Sequence, residues 1–188
     1  MATNIIEALQ MNLGYGQLEK VDPNSQQVTD RESNEKLGQA AIPAVLTALY
    51  KLTRTEEGAR QLLDDKPKGD WSNIIYQGKS AEAVEKVAQY AGVPVSQASS
   101  HMDKIAEHAV KLIREAAGKQ PTPQKIETYM NSQRHNILVY LPAALNMGDV
   151  LNDETLDDKT NKMEGPVSNV MHRIENTFSS ADKKEGNF

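Results

Sequence analysis

The feature that most constrains this chain is an amphipathic pattern between residues 80 and 119. Six apolar side chains recur at alternating steps of four and three residues, which places them in one stripe of a helix. They are Ala98, Met102, Ile105, Ala109, Leu112 and Ala116. A shorter helix precedes this one, with Ser80 as its predicted N-cap and Gly92 as the left-handed residue that ends it. The stretch therefore predicts a helix pair whose stripe packs against a core.

The rest of the chain keeps the helical period, and no segment alternates with period two for long enough to predict a strand. Threonines are the predicted N-caps of four further helices: Thr3, Thr29, Thr55 and Thr122. Glu32 completes a capping box with the second of these. Pro43 and Pro142 each interrupt an apolar helical pattern within similar segments, residues 42–46 and 141–145, and predict a kink or a restart. These features predict an all-α, irregular multihelical array with proline-kinked helices.

Composition changes near the C-terminus. From Asp149 to Lys162 the residues are mostly Asp, Glu, Asn, Thr and Lys, which predicts a solvated acidic linker. Gly165 and Pro166 then open a predicted amphipathic helix of residues 166–178. Its apolar stripe supplies the candidate interaction residues Val167, Val170, Met171, Ile174 and Phe178. We therefore divide the chain into a multihelical domain, residues 1–150, and a linker with a tethered helix, residues 151–188.

Composition also excludes several classes of protein. The 188 residues carry a net charge of -5, so broad attraction to nucleic acid or an anionic membrane is not expected. The absence of cysteine excludes disulfides, thiolate metal sites and thiol nucleophiles. The N-terminal segment lacks a basic region before its short apolar run, and no uncharged span of membrane length occurs. We expect a cytoplasmic protein that does not associate with membranes.

The segment from Asn73 to Ser80 ends in Gly78-Lys79-Ser80, like a phosphate-binding P-loop. The first glycine of that motif is missing, and the residues before it do not predict a strand. We therefore interpret Lys79 as a lysine that precedes a helix.

A second segment, from Ala88 through Gly92 to Gln97, resembles the turn of a helix-turn-helix DNA reader. The helix that would read the bases has no Arg or Lys before Lys104, so contacts to phosphates and guanines would be few. An ordinary helical hairpin is the favoured interpretation, and a helix-turn-helix-like DNA-binding regulator remains the alternative.

The histidines do not predict a metal site. His101 and His108 lie seven residues apart on one helix, which separates them by about 10 Å along its axis. His135 and His172 have no neighbour at ligand spacing. We interpret His101 and His108 as residues that cover the edge of the core.

The order of these features resembles the YidB-like family of small bacterial proteins of unknown function. The resemblance lies in AAIPAVLTALYKL, EEGARQLL, VAQYAGVPVSQASSHMDKIAEHAVKLI and NILVYLPAAL, and covers residues 30–150. It implies an irregular array of helices, and because the family has no assigned catalytic residues, the resemblance assigns no role to any position of this chain. We predict a non-enzymatic bacterial interaction or structural module without cofactor or metal, which binds a protein partner or itself through the C-terminal helix. A hydrolase or nucleotide-dependent enzyme is a further alternative.

Overall fold

The computed structural model describes residues 4–21, 32–64 and 69–156, and its regular elements are helices. They are α1 (Ile5–Leu13), α2 (Ser33–Leu52), α3 (Glu56–Gln61), α4 (Trp71–Tyr76), α5 (Ser80–Ala91), α6 (Val95–Ala116), α7 (Pro123–Leu138), a 3-10 turn (Ala143–Leu145) and α8 (Met147–Leu151). The predicted all-α multihelical array is confirmed. The predicted helix of residues 166–178 lies outside the described residues.

The core is built around α2, which packs against α1, α4, α5, α6, α7 and α8. Its residues from Leu37 to Tyr50 are all buried, and apart from Gln39 and Thr47 this run is apolar around the whole helix rather than along one stripe. Pro43 lies inside this buried run, and the helix continues beyond it to Leu52 without restarting. None of the described helices is both long and apolar enough to cross a membrane.

The predicted helix pair is confirmed as α5 and α6. Gly92 ends α5 in the left-handed conformation, with φ 67°, and its N–H donates to the carbonyl of Ala88. The predicted N-cap is wrong by one residue, because Lys79 occupies that position and Ser80 is the first helical residue. The Ser80 hydroxyl instead donates to Oδ1 of Asn73, 2.8 Å away, and so connects α5 to α4.

The buried stripe of α6 follows the prediction over its first half and then diverges. Ala98, Met102, Ile105 and Ala109 are fully buried, but Ile113 and Ala117 replace Leu112 and Ala116 on the buried face. Side chains spaced by alternating steps of four and three residues do not stay on one face of a straight helix, because seven residues rotate about 20° less than two full turns. Steps of four residues late in α6 correct this drift, so the buried face continues to point at the core.

Helix starts were partly predicted. Thr55 caps α3 by accepting from the N–H of Gly58, and Thr122 caps α7 by accepting from that of Lys125, as expected. The cap of α1 is Asn4 rather than Thr3, since the Asn4 side chain accepts from the N–H of Ile6. Thr29 lies outside the described residues, but the predicted capping box is wrong, because Glu32 is itself the extended N-cap of α2 and its side chain makes no capping bond.

The two prolines have different structural roles. Pro43 is inside a helix, whereas Pro142 is extended, with ψ 127°, and precedes the 3-10 turn. The predicted kink at Pro142 is wrong, because α7 has already ended at Leu138, whereas the predicted restart corresponds to the 3-10 turn that begins at Ala143. Residues 42–46 and 141–145 are similar in sequence but do not form a structural repeat.

The predicted linker is wrong over its first eight residues. Asp149 lies in α8, and Val150, Leu151 and Leu156 are buried in the core. These apolar side chains are spaced among acidic ones, so the average composition conceals a segment that packs. The remainder of the predicted linker, residues 157–162, lies outside the described residues.

Candidate functional site

A small polar cavity lies where the end of α2, the turn from α4 to α5 and the end of α8 meet. Its volume is about 60 Å³. The residues that carry its polar chemistry are Lys51, Tyr76, Gln77, Lys79, Leu151 and Asn152. Leu52, Ile75 and Val150 complete its wall.

Two left-handed residues shape the rim of this cavity. Gln77 ends α4 with φ 50°, and Asn152 ends α8 with φ 52°. Asparagine tolerates this conformation, but for glutamine it costs about 1–2 kcal/mol because Cβ crowds the next carbonyl. Gly78 follows Gln77 with φ 86°, and this tight turn brings Lys79 to the rim.

Both lysines of the cavity are held in place by the end of α8. The ammonium group of Lys51 donates to the carbonyl of Leu151, and Nζ of Lys79 donates to Oδ1 of Asn152, 2.9 Å away. Cations are favoured at a helix C-terminus, where carbonyls carry partial negative charge. An ammonium group has three donors, so these bonds use one donor of each lysine. No Asp or Glu is among the described residues that line the cavity.

Tyr76 lines the cavity, but its hydroxyl is enclosed by protein and has almost no accessible surface. Its side chain is only 2% exposed, and its hydroxyl has no hydrogen-bond partner among the described residues. Burial raises the pKa of this hydroxyl, which therefore stays a protonated donor. An unsatisfied buried hydroxyl costs about 1–3 kcal/mol. The Thr47 hydroxyl is also buried without a described partner, but Thr47 does not line the cavity.

The histidines lie elsewhere and do not assemble a site. His101 is half-buried and bonded to Tyr15, whereas His108 and His135 are exposed. The interpretation of His108 as a cover for the core edge is therefore wrong, because its side chain lies beyond the buried face of α6. Within residues 4–21, 32–64 and 69–156, no three His, Asp or Glu side chains form a cluster that could hold a metal ion.

The two motif-like segments have ordinary surroundings. Gly78-Lys79-Ser80 follows α4, not a strand, so the geometry of a P-loop is not formed there. The helix that would read DNA, α6, packs against α1, α2, α4, α5 and α7. Val95, Ser96 and Ser100 are exposed at its start, and none of them supplies positive charge.

Sequence reasoning missed the cavity because its polar residues are far apart in the chain. Lys51, Lys79 and Asn152 meet only through packing of α2, α5 and α8, and no local spacing reveals this. The one signal was the lysine of the degraded phosphate motif. The predicted interaction residues Val167, Val170, Met171, Ile174 and Phe178 lie outside the described residues.

Comparison with known proteins gives no relative. No family model, no curated protein and no solved structure matches this chain. The resemblance to the YidB-like family therefore stays a prediction, and the function must be argued from the residues of this chain.

Proposed function

We propose that this protein is a non-enzymatic interaction module of the bacterial cytoplasm. Its helical body holds one end of the C-terminal segment, and the amphipathic stretch of residues 166–178 binds a protein partner or a second copy. The observation that carries this proposal is the way in which the body fixes residues 152–156.

Basic side chains from three parts of the body hold this junction. Arg54 pairs with Asp153 at 2.5 Å, and Lys79 donates to Asn152 at 2.9 Å. Arg134 donates to the carbonyl of Thr155 at 3.1 Å. Leu156, the last described residue, is 1% exposed. The C-terminal segment therefore starts from a fixed point on the body.

The chain between this point and the predicted helix is long enough for the helix to dock on its own body or on a second copy. Ten residues separate Leu156 from Val167, and a chain of that length reaches at most about 36 Å. This reach spans much of a small domain, so the helix has access to its own body or to a second copy.

The apolar stripe provides the reason for binding. An isolated helix of thirteen residues is marginally stable in water, and its stability in proteins comes mostly from packing of an apolar face. Burial of Val167, Val170, Ile174 and Phe178 contributes about 1.5–3 kcal/mol for each side chain before ordering entropy is subtracted. This free energy is large enough to hold the helix on its own body or on a second copy.

Deletion of residues 160–188 tests the proposal. We expect the truncated chain to melt at a lower temperature if the helix docks on its own body, or to lose mass in sedimentation if it joins two copies. A full-length variant with Val170, Ile174 and Phe178 changed to serine should reproduce the effect. A control with Asn169 and Asn176 changed to serine should not, because it leaves the stripe intact.

The proposal fails on a specific combination of results. The truncated and full chains would have the same mass and melting temperature, and amide exchange would show no protection over residues 166–178. In addition, capture experiments would retain the same proteins with the parent chain as with the serine variant.

A further inference from the structure

We infer that the groove in which α1 lies also binds residues 169–178 of the same chain, so that two segments exchange on one surface. This inference rests on the proposed function, because it takes residues 166–178 as a helix that binds through its apolar stripe. It goes further by naming the surface. Two observations carry it: a match between α1 and the C-terminal segment, and the place at which that segment leaves the body.

The groove is apolar and is formed by three helices of the body. α1 packs there against α2, α6 and α7. Its residues Ile5, Ile6 and Leu9 are at most 1% exposed, and Leu13 is partly buried against the core. The opposite side of α1 faces solvent, where Met11 is 83% exposed. The groove therefore fits a helix with apolar side chains at its first, second, fifth and ninth positions.

The sequence of residues 170–178, VMHRIENTF, repeats this pattern. Val170, Met171, Ile174 and Phe178 are at its first, second, fifth and ninth positions. The five other positions are polar in this segment, and in α1 the same five positions are exposed or partly exposed. A helix of residues 170–178 would therefore fill the groove with apolar side chains of similar size, and such exchanges are tolerated in cores.

The start of the match also fits. The Asn4 side chain caps α1, and Asn169 is at the same position relative to the C-terminal pattern. Oε1 of Gln133 accepts from the first N–H of α1 at 3.2 Å. The N–H of Val170 would take that place, because every residue other than proline has this donor. Exchange would therefore keep both the cap and the bond to α7.

The C-terminal segment leaves the body beside this groove. Arg134 donates to the carbonyl of Thr155 at 3.1 Å, and Gln133, its neighbour in α7, is bonded to the start of α1. Twelve residues separate Leu156 from Asn169, and a chain of that length reaches at most about 43 Å. This reach is about four times the diameter of a helix, so the segment has access to the groove of its own chain.

The segment after α1 makes contacts that favour α1 in the groove. The Tyr15 hydroxyl lies 2.6 Å from Nδ1 of His101, and Leu18 is buried. With α1 in place, the C-terminal stripe is available to the partner of the proposed function. When the C-terminal segment takes the groove, the same stripe is covered. The two states exclude each other, so a partner that binds the stripe also keeps α1 in the groove.

Amide hydrogen exchange of the full chain tests the inference. The amides of α1 exchange when α1 leaves the groove, and a competitor in the vacated groove prolongs that open state. We expect the change of Val170, Ile174 and Phe178 to serine to slow exchange of α1 about threefold or more, which corresponds to a competitor that fills the vacated groove about two-thirds of the time. Asn176→Ser is the matched control, because its position corresponds to the exposed Met11, and it should leave the exchange of α1 unchanged.

A second variant reverses the competition. Leu9→Ser weakens the packing of α1, so we expect the amides of residues 170–178 to gain protection while those of α1 lose it. Met11→Ser is the control on the exposed side of the same helix. The amides of α5 report global unfolding. If Leu9→Ser lowers their protection as well, the serine variant of the C-terminal segment, which changes no residue of the body, decides the question.

Three results would overturn the inference. The first is an exchange of α1 that is unchanged or faster in the serine variant, because a segment that docks elsewhere does not compete with α1. The second is a folded Leu9→Ser chain in which residues 170–178 stay unprotected. The third is an effect that disappears on dilution, which would place the exchange between two copies. The proposed function survives each of these results if deletion of residues 160–188 still changes the melting temperature or the mass.

Discussion

The Tyr15 hydroxyl lies 2.6 Å from Nδ1 of His101, which is 86 residues further along the chain. The Tyr15 ring also packs on α2, where a Cβ added to Gly38 would lie 2.8 Å from its Cδ1 atom. Tyr15 therefore joins the loop after α1 to both α2 and α6. Gly38 leaves the space that this aromatic ring needs.

This pair predicts how stability depends on pH. Burial and the charge of Lys104 hold the pKa of His101 below its usual value, so the folded protein favours the neutral ring beside Tyr15. The contribution of His101 to stability is therefore present above the unfolded pKa of about 6.5 and decreases as the pH falls below that value.

Burial raises the pKa of Tyr15 to about 12. Its contribution is present below about pH 10 and is lost as the pH rises from there.

Urea denaturation at pH 7.5 and pH 5.5 measures the histidine part. We expect the parent chain to lose stability at the lower pH and His101→Gln to lose less, because glutamine does not titrate. His108→Gln, on the exposed side of the same helix, should keep the pH dependence of the parent. If stability depends on pH equally in all three chains, the titration of His101 is not the source of the pH dependence.

Gly58 predicts a large effect of a single methyl group. A Cβ at this position would lie 2.0 Å from the carbonyl oxygen of Leu52, so the backbone of α3 or of the α2 end must move. We expect Gly58→Ala to lower the free energy of unfolding by about 1–3 kcal/mol or more, as overpacking does. Gly16→Ala is the control, because a Cβ there has nothing within 4 Å. Similar unfolding free energies for both variants would contradict this prediction.

A buried amide gives a third prediction. Oε1 of Gln133 accepts from the N–H of Ile5 at 3.2 Å, and Gln133 is 2% exposed. Gln133→Leu keeps much of the volume but leaves the first N–H of α1 without its acceptor, so we expect a loss of about 1–3 kcal/mol in denaturant unfolding. Gln124→Leu, at an exposed site of the same helix, controls for the change of residue type. No difference between the two variants would mean that water replaces the lost acceptor.

Much of the local structure was predictable from the sequence. The period of α6, the Gly92 turn and the Thr55 and Thr122 caps were predictable because each depends on residues within one or two helical turns. Small errors occurred where two neighbouring residues compete for one position, as at Ser80 and Lys79. Such choices depend on the tertiary partner, here Asn73, which the local pattern does not reveal.

The cavity was not predictable for a related reason. Its lysines belong to α2 and to the start of α5, and Asn152 belongs to a segment whose composition predicts solvent exposure. Gln133 and Ile5 are likewise 128 residues apart. Long-range polar contacts leave no periodic trace in the sequence, whereas an apolar stripe does.

The last prediction concerns two carboxylates among residues 152–156, where Asp153 is partly buried and Glu154 is exposed. Burial alone would raise the pKa of Asp153, but hydrogen bonds from Thr155 and the charges of Arg54 and Lys51 hold it below its usual value. Glu154, the next residue, is exposed. We expect Asp153→Ala to lower the free energy of unfolding by about 1–2 kcal/mol at pH 7. The ion pair with Arg54 contributes little to this value, because the Arg54 side chain is exposed to solvent. Glu154→Ala should change the free energy of unfolding by almost nothing.

The pH dependence separates the charge of Asp153 from mere packing. A folded pKa below the unfolded one means that the stabilisation is present above about pH 4 and is lost as the pH falls through that range. The difference between the parent and Asp153→Ala should therefore shrink in urea denaturation at pH 3. If the difference persists at pH 3, the effect of Asp153 comes from packing and not from its charge. If Asp153→Ala and Glu154→Ala are equally stable at pH 7, Arg54 does not hold the segment before residue 157.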